Sequence, residues 1–327
     1  MSHKLLILNK QKQGLGILAT RWCLDTGGAM LTENKDKPVV KPCILAVMVL
    51  YKRTPEESET FTSLHGLLQK RPDLAGAMSL LVYDNSPIAQ EIPLLPIATR
   101  YITDTDNGGL VPAYNVGLRL ADEVGAEWLL LLDHDTLLTE AYLTELISTV
   151  PDVEAGVCAL LPKLVREGQE DRVISPHFIP RLTHQGIDTT FRGAAMEELS
   201  AFNSAAALRV SAVKAIGGFP TKHSIEFLDH TVFRQLQMSG GKIWVMGSSL
   251  PHQHSATELD GGVSLERYKN ILYAERDFYK NWGNGPDRIW YHLRRLKQSV
   301  GHLLKAKNKQ FAMWDLRAAI GALGKRT

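Results

Sequence analysis

Three nearly uninterrupted apolar runs, at residues 44–50, 78–83 and 128–132, constrain this chain more than any other feature. None of them alternates polar with apolar, so neither face of the strands they would form can meet water. Strands of that kind belong in a parallel sheet covered on both sides. The segments between them carry helical signals. Thr54-Pro55-Glu56-Glu57 reads as a helix start, and Phe61, Leu64, Leu67 and Leu68 recur at helical spacing. A short strand is expected at 100–103, a helix at 112–124, and the last strand over 127–132. This alternation predicts an α/β fold: a Rossmann-like, mostly parallel sheet flanked by helices.

Each strand stops in a polar cluster: Asp84-Asn85-Ser86, Asn107-Gly108-Gly109 and Asp133-His134-Asp135. Ligands of open parallel sheets bind beyond the carboxyl ends of the strands, so these distant segments are expected to converge on one rim. Two carboxylates delivered there by the buried run 128–132 need a compensating cation. Hard oxygen ligands at that spacing suit Mg²⁺ or Mn²⁺ held together with substrate phosphates. The alternative is an N-capping Asp with a chance neighbour.

The second half is less regular. A strand running into a helix is expected over 202–213, closed by Gly217-Gly218-Phe219-Pro220. A helix follows over 227–238, stopped by Ser239-Gly240-Gly241, then a strand over 242–246. Three divisions result: an N-terminal extension, 1–41; a catalytic unit, 42–262, with a nucleotide-binding half, 42–136, and an acceptor half, 137–262; and a helical region, 263–327. The 44% apolar content supports a sizeable core. Cys23, Cys43 and Cys158 show neither metal-ligand spacing nor a disulfide framework, so a reducing cytosol is the expected compartment. No apolar run reaches the roughly 18 residues of a membrane span.

The formal charge of +2 says little, but its distribution is uneven. Residues 263–327 hold fourteen Lys and Arg against five Asp and Glu, with Trp282, Trp290, Tyr291 and Trp314 among them. Such a region can lie on an anionic membrane surface or pack on the catalytic unit with a solvated basic face. No nucleic-acid-binding motif is present.

The segments Tyr83-Asp84-Asn85-Ser86, residues 107–118 from Asn107-Gly108-Gly109 to Leu118, Leu130-Leu131-Leu132-Asp133-His134-Asp135, Ala215-Ile216-Gly217-Gly218-Phe219 and residues 225–230, in that order, resemble the family-2 inverting glycosyltransferases. The bacterial rhamnosyltransferase-like branch is the most similar, and the resemblance covers roughly 43–256. It implies a GT-A fold, a hexosyltransferase activity in surface polysaccharide synthesis, a dTDP- or UDP-sugar donor, a divalent metal, and a glycan or lipid-linked acceptor. It places Tyr51, Asp84, Asn107, Gly108, Asn115, Asp133 and His134 at the donor. Asp135 becomes the principal metal ligand, with Asp133 and His254, and His252 a weaker candidate. Asp229 becomes the general base that an inverting displacement needs, with Glu226 as runner-up. The family's second acid, two residues after that aspartate, is Thr231 here, which shifts acceptor recognition towards His230.

Two other readings compete. A nucleotidyltransferase would need a glycine-rich phosphate loop after the first strand, where this chain has Tyr51-Lys52-Arg53-Thr54-Pro55. A non-catalytic nucleotide-sugar-binding relative would account for Thr231.

Overall fold

The computed structural model describes residues 8–9, 43–166, 168–179, 182–183, 185–220, 226–252, 263–306 and 308–324. The expected extension 1–41 and His254 lie outside them, apart from the two-residue strand β1 (Leu8–Asn9). In chain order follow β2 (Ile44–Leu50), α1 (Glu59–Lys70), α2 (Pro72–Ala75), β3 (Met78–Asp84), β4 (Ala98–Thr103), α3 (Leu110–Val124), β5 (Trp128–Leu132) and α4 (Glu140–Thr149). Then come β6 (Val157–Arg166), β7 (Gln169–Ser175), β8 (His177–Phe178), β9 (Gly193–Ala194), β10 (Leu199–Ser200), β11 (Ala206–Arg209) and α5 (Val210–Ala215). The chain continues through α6 (Leu228–Met238), β12 (Lys242–Pro251), α7 (Leu265–Trp282), α8 (Gly285–Lys305) and α9 (Gln310–Ala319).

The main sheet runs β1-β4-β3-β2-β5-β11-β6-β12-β9, with β7 on the side of β6. From β1 to β5 every neighbour is parallel. Beyond β5 the sheet becomes mixed: β11 is antiparallel to both β5 and β6, β12 runs parallel to β6, and β9 and β7 are antiparallel additions. The strand residues sort by parity. Leu45, Val47 and Val49 enter one hydrophobic core, and Ile44, Ala46, Met48 and Leu50 enter another on the opposite face. Side chains of a strand alternate in direction, so continuous apolar runs are what a doubly covered sheet requires.

Several boundaries moved. Thr54 caps a 3₁₀ turn, Pro55–Glu57, and α1 begins after a second cap, Ser58, whose hydroxyl accepts from Phe61 N. The strand expected over 242–246 runs on to Pro251, because after an irregularity between Val245 and Ser249 its pairing with β6 resumes. The hairpin of β6 and β7 was not foreseen. Helices α7, α8 and α9 surround a third apolar cluster that includes Tyr268, Leu272, Phe278, Tyr291 and Phe311.

Candidate active site

The ends of β2, β3, β4 and β5 open onto one cavity of about 900 Å³. Tyr51, just past β2, lines it. At the end of β3 the expected donor residue Asp84 turns inward: it is fully buried, and its carboxylate accepts from Ser86 N at 2.9 Å, Gln90 N at 3.2 Å and the Tyr101 hydroxyl at 2.6 Å. Burial, and next the neighbouring Asp84 carboxylate, push the Tyr101 phenol up. The cavity is lined instead by Asn85, whose amide donates to Gly109 O at 3.3 Å.

The loop after β4 is tight. Asp104 O accepts from Asn107 N, Asn107 sits at φ 51°, and a Cβ on Gly108 would lie 2.7 Å from Asp104 Oδ2. Only a glycine fits there without displacing the carboxylate. Asn107 and Gly109 line the cavity, whereas Gly108 does not. Gly109 is the N-cap of α3, with no side-chain cap, so the first turn of that helix starts at the cavity wall. Asn115 faces elsewhere: its amide bonds both N and O of Phe219, tying α3 to the turn before α6.

Asp133, His134 and Asp135 all line the cavity. Residues at the start of α1 hold the backbone of the triplet: Ser58 Oγ donates to His134 O at 2.9 Å, and Thr60 Oγ1 accepts from Thr136 N at 2.9 Å. Asp133 accepts from Ser204 Oγ. Desolvation, with the charge of Asp135 added, raises the Asp133 carboxyl above its usual range; Ser204, His252 and His134 act in the opposite sense. Among the described residues no Lys or Arg makes an ion pair with Asp133 or Asp135.

That is the donor set a divalent cation suits: hard oxygens, a like-charge pair and no resident counter-charge. Among the described residues no group of three His, Cys, Asp or Glu side chains could hold a metal alone. Such a site would be completed by substrate phosphates. His252, just past β12, makes an antiparallel bridge to Thr136 and lines the cavity.

The acid–base candidates line the same cavity. Asp229 lies in the first turn of α6, with Oδ1 accepting from His230 N at 2.8 Å. Its predecessor Phe227 holds a left-handed φ of 64° at the N-cap. The fully buried Tyr114 phenol is pushed up by burial and then by the negative charges of Asp133 and Asp229. Glu226 also lines the cavity, but Arg267 Nε bonds its Oε1 at 3.0 Å. His230 lines the cavity against Phe227, with its ring nitrogen on Ser200 Oγ. Thr231 is buried in α6 and does not line the cavity.

Sequence reasoning missed three groups of lining residues: Asn203 and Ser204 before β11, Arg166 and Arg172 of the β6–β7 hairpin, and Glu275, Arg294 and Arg295 of α7 and α8. Only the charges on α8 left a signal, and that signal was read as a basic face, either solvated or laid on an anionic membrane surface.

No family model matches this chain, and no curated protein sequence matches it. Among solved structures, that of Staphylococcus aureus TarS 1-349 superposes with a TM-score of 0.52 at 14% identity, covering 84% of this chain and 80% of that one. A second structure of S. aureus TarS gives 0.54 at 14% identity, covering 86% of this chain and 49% of that one, so this chain spans about half of it. The likeness shows the fold, a GT-A type α/β sheet flanked by helices.

Proposed function

We propose that this chain is an inverting glycosyltransferase that moves a sugar from a nucleoside diphosphate donor to a hydroxyl of a glycan or lipid-linked acceptor in surface polysaccharide synthesis. One observation carries the reading: the carboxylates of Asp133 and Asp135 and that of Asp229 face a single cavity beyond the carboxyl ends of the sheet. The sequence resemblance supports a dTDP- or UDP-linked donor, with rhamnose as the sugar.

In the proposed reaction the acceptor oxygen bonds the anomeric carbon as the bond from that carbon to the diphosphate breaks. The acceptor proton passes to Asp229, and the leaving nucleotide takes the bonding pair. Asp135 and Asp133 would hold Mg²⁺ or Mn²⁺, which supplies charge neutralisation at the diphosphate when bound. Tyr51, Asn85 and Asn107, which line the cavity, would contact the nucleotide, and the uncapped first turn of α3 would offer N–H groups to a phosphate. Glu226, its oxygen engaged by Arg267, is less free to accept a proton than Asp229.

Thermal shift with UDP, dTDP and GDP, with and without Mn²⁺, tests the reading. At least one diphosphate should raise the melting temperature only when Mn²⁺ is present, and Asp135→Ala should remove that rise. Absence of any metal-dependent shift in the unsubstituted chain would overturn the proposal.

A further inference from the structure

Helix α8 is built inside out. Apart from Tyr291, its inward face is polar: Arg294, Arg295 and Ser299 are buried, with Arg294 and Arg295 paired to Glu275, and Arg295 and His302 to Asp315. Its outward face carries Ile289, Leu293, Leu296, Val300, Leu303 and Leu304, each between 44% and 75% exposed. At about 3.6 residues per turn these six fall in one stripe about 100° wide, the width that a globular helix ordinarily turns to its core. Helix α9 packs beside it, Ser299 Oγ donating to Ala312 O at 2.8 Å, and adds exposed Met313, Leu316 and Ile320. Isolated exposed leucines need no explanation, but nine large apolar side chains across two packed helices do.

The charges around this face have one sign. Among the described residues from 285 to 324 the only carboxylates are Asp287 and Asp315. Asp315 is fully buried, and Asp287 faces Arg234 at 3.3 Å. The exposed charges are Arg288, Lys297, Lys305, Lys309 and Arg317. A second copy docked about a two-fold axis would bring these cations against one another with no exposed carboxylate on the patch to meet them. A surface of anionic phospholipid meets both features at once, taking the stripe into the acyl boundary and the cations at the headgroups.

We infer that the α8–α9 face docks on an anionic bilayer surface, the helices lying in its interface. No described helix is long and apolar enough to cross a membrane, which agrees with helices lying flat. Lys297 Nζ donates to Leu182 O at 3.4 Å, and Leu182, with Ile179, lines the cavity, so the docking face and the cavity wall are joined at that point. Entry of a lipid-linked acceptor along that side rests on the transferase reading, and the docking does not.

Co-sedimentation of the full chain with phosphatidylcholine vesicles, with and without phosphatidylglycerol, tests the inference. Binding should require phosphatidylglycerol and weaken with added salt. Combined Leu293→Gln, Val300→Gln and Leu303→Gln should lower it roughly tenfold or more. Lys297→Glu with Lys305→Glu, which leaves the stripe intact, should remove the preference for anionic lipid. Both variants should keep the melting temperature and the nucleotide affinity, so a failure here is separable from a failure of the transferase reading. Three results would overturn the inference: no binding to either vesicle, binding that both variants leave unchanged, or a dimer by light scattering that the stripe variant splits while vesicle binding persists.

Discussion

Two acids near the start of α6 differ in how the fold uses them. Asp229 lies in the first turn of the helix with a backbone N–H on one oxygen, whereas Glu226 is held by the Arg267 guanidinium. Asp229→Asn should therefore lower kcat by about 10²- to 10⁴-fold while leaving diphosphate affinity nearly unchanged. Glu226→Gln should cost much less, and near-normal turnover in the Asp229 variant would move the base elsewhere. That the 133–135 triplet would stand at the rim was legible from the apolar run before it, whereas Asp229 was named only through the family resemblance; both line the same cavity. The engagement of the Asp84 carboxylate by its own loop and Tyr101 was not legible. A carboxylate at a strand end can face the rim or turn back on its own loop, and Tyr101, seventeen residues away, decides which.

Among the elements, the packing of α3 on the sheet depends on one missing side chain. A Cβ at Gly117 would lie 2.3 Å from Val47 Cγ2, whereas one at Gly66 on α1 would meet nothing within 4 Å. Gly117→Ala should destabilise by about 1–3 kcal/mol. Gly66→Ala should stabilise by up to about 1 kcal/mol, since alanine favours the helix. Urea titrations of the two variants read the opposite signs directly. The buried strands were legible as elements because they are apolar throughout. Strand β7, Gln169–Ser175, was not, because its sequence QEDRVIS is mostly polar and it forms only by pairing with β6. Helix α8 was expected, but periodicity gives two faces without saying which of them is covered.

For the whole molecule, the C-terminal helices are joined to one another through buried charge. Glu275, at 3% exposed, serves both Arg294 and Arg295. Glu275→Gln keeps the shape and removes the anion, leaving two buried guanidiniums short of compensation. A loss of about 3–5 kcal/mol is expected from breaking one partner of such a network. Chemical denaturation measures it, and a loss under about 0.5 kcal/mol, the range of ordinary surface substitutions, would mean that water or other groups already satisfy the arginines. Because Arg294, Arg295 and Glu275 also line the cavity, the same network shapes part of its wall.

The chain's local chemistry by itself determined the doubly covered sheet, the rim at its strand ends and the carboxylates that gather there. Each of those follows from short-range pattern: apolar runs must be buried, and the polar clusters that end them cannot follow them inside. Tertiary structure alone decided the rest. It turned Asp84 away from the cavity and Asn85 towards it, brought β12 and His252 beside the triplet, and placed the basic face of α8 inward with its leucines outward. These outcomes depend on partners far away in sequence. Burying Arg294 and Arg295 is tolerable only where Glu275 and Asp315 stand ready to neutralise them, and no pattern within α8 announces that they will.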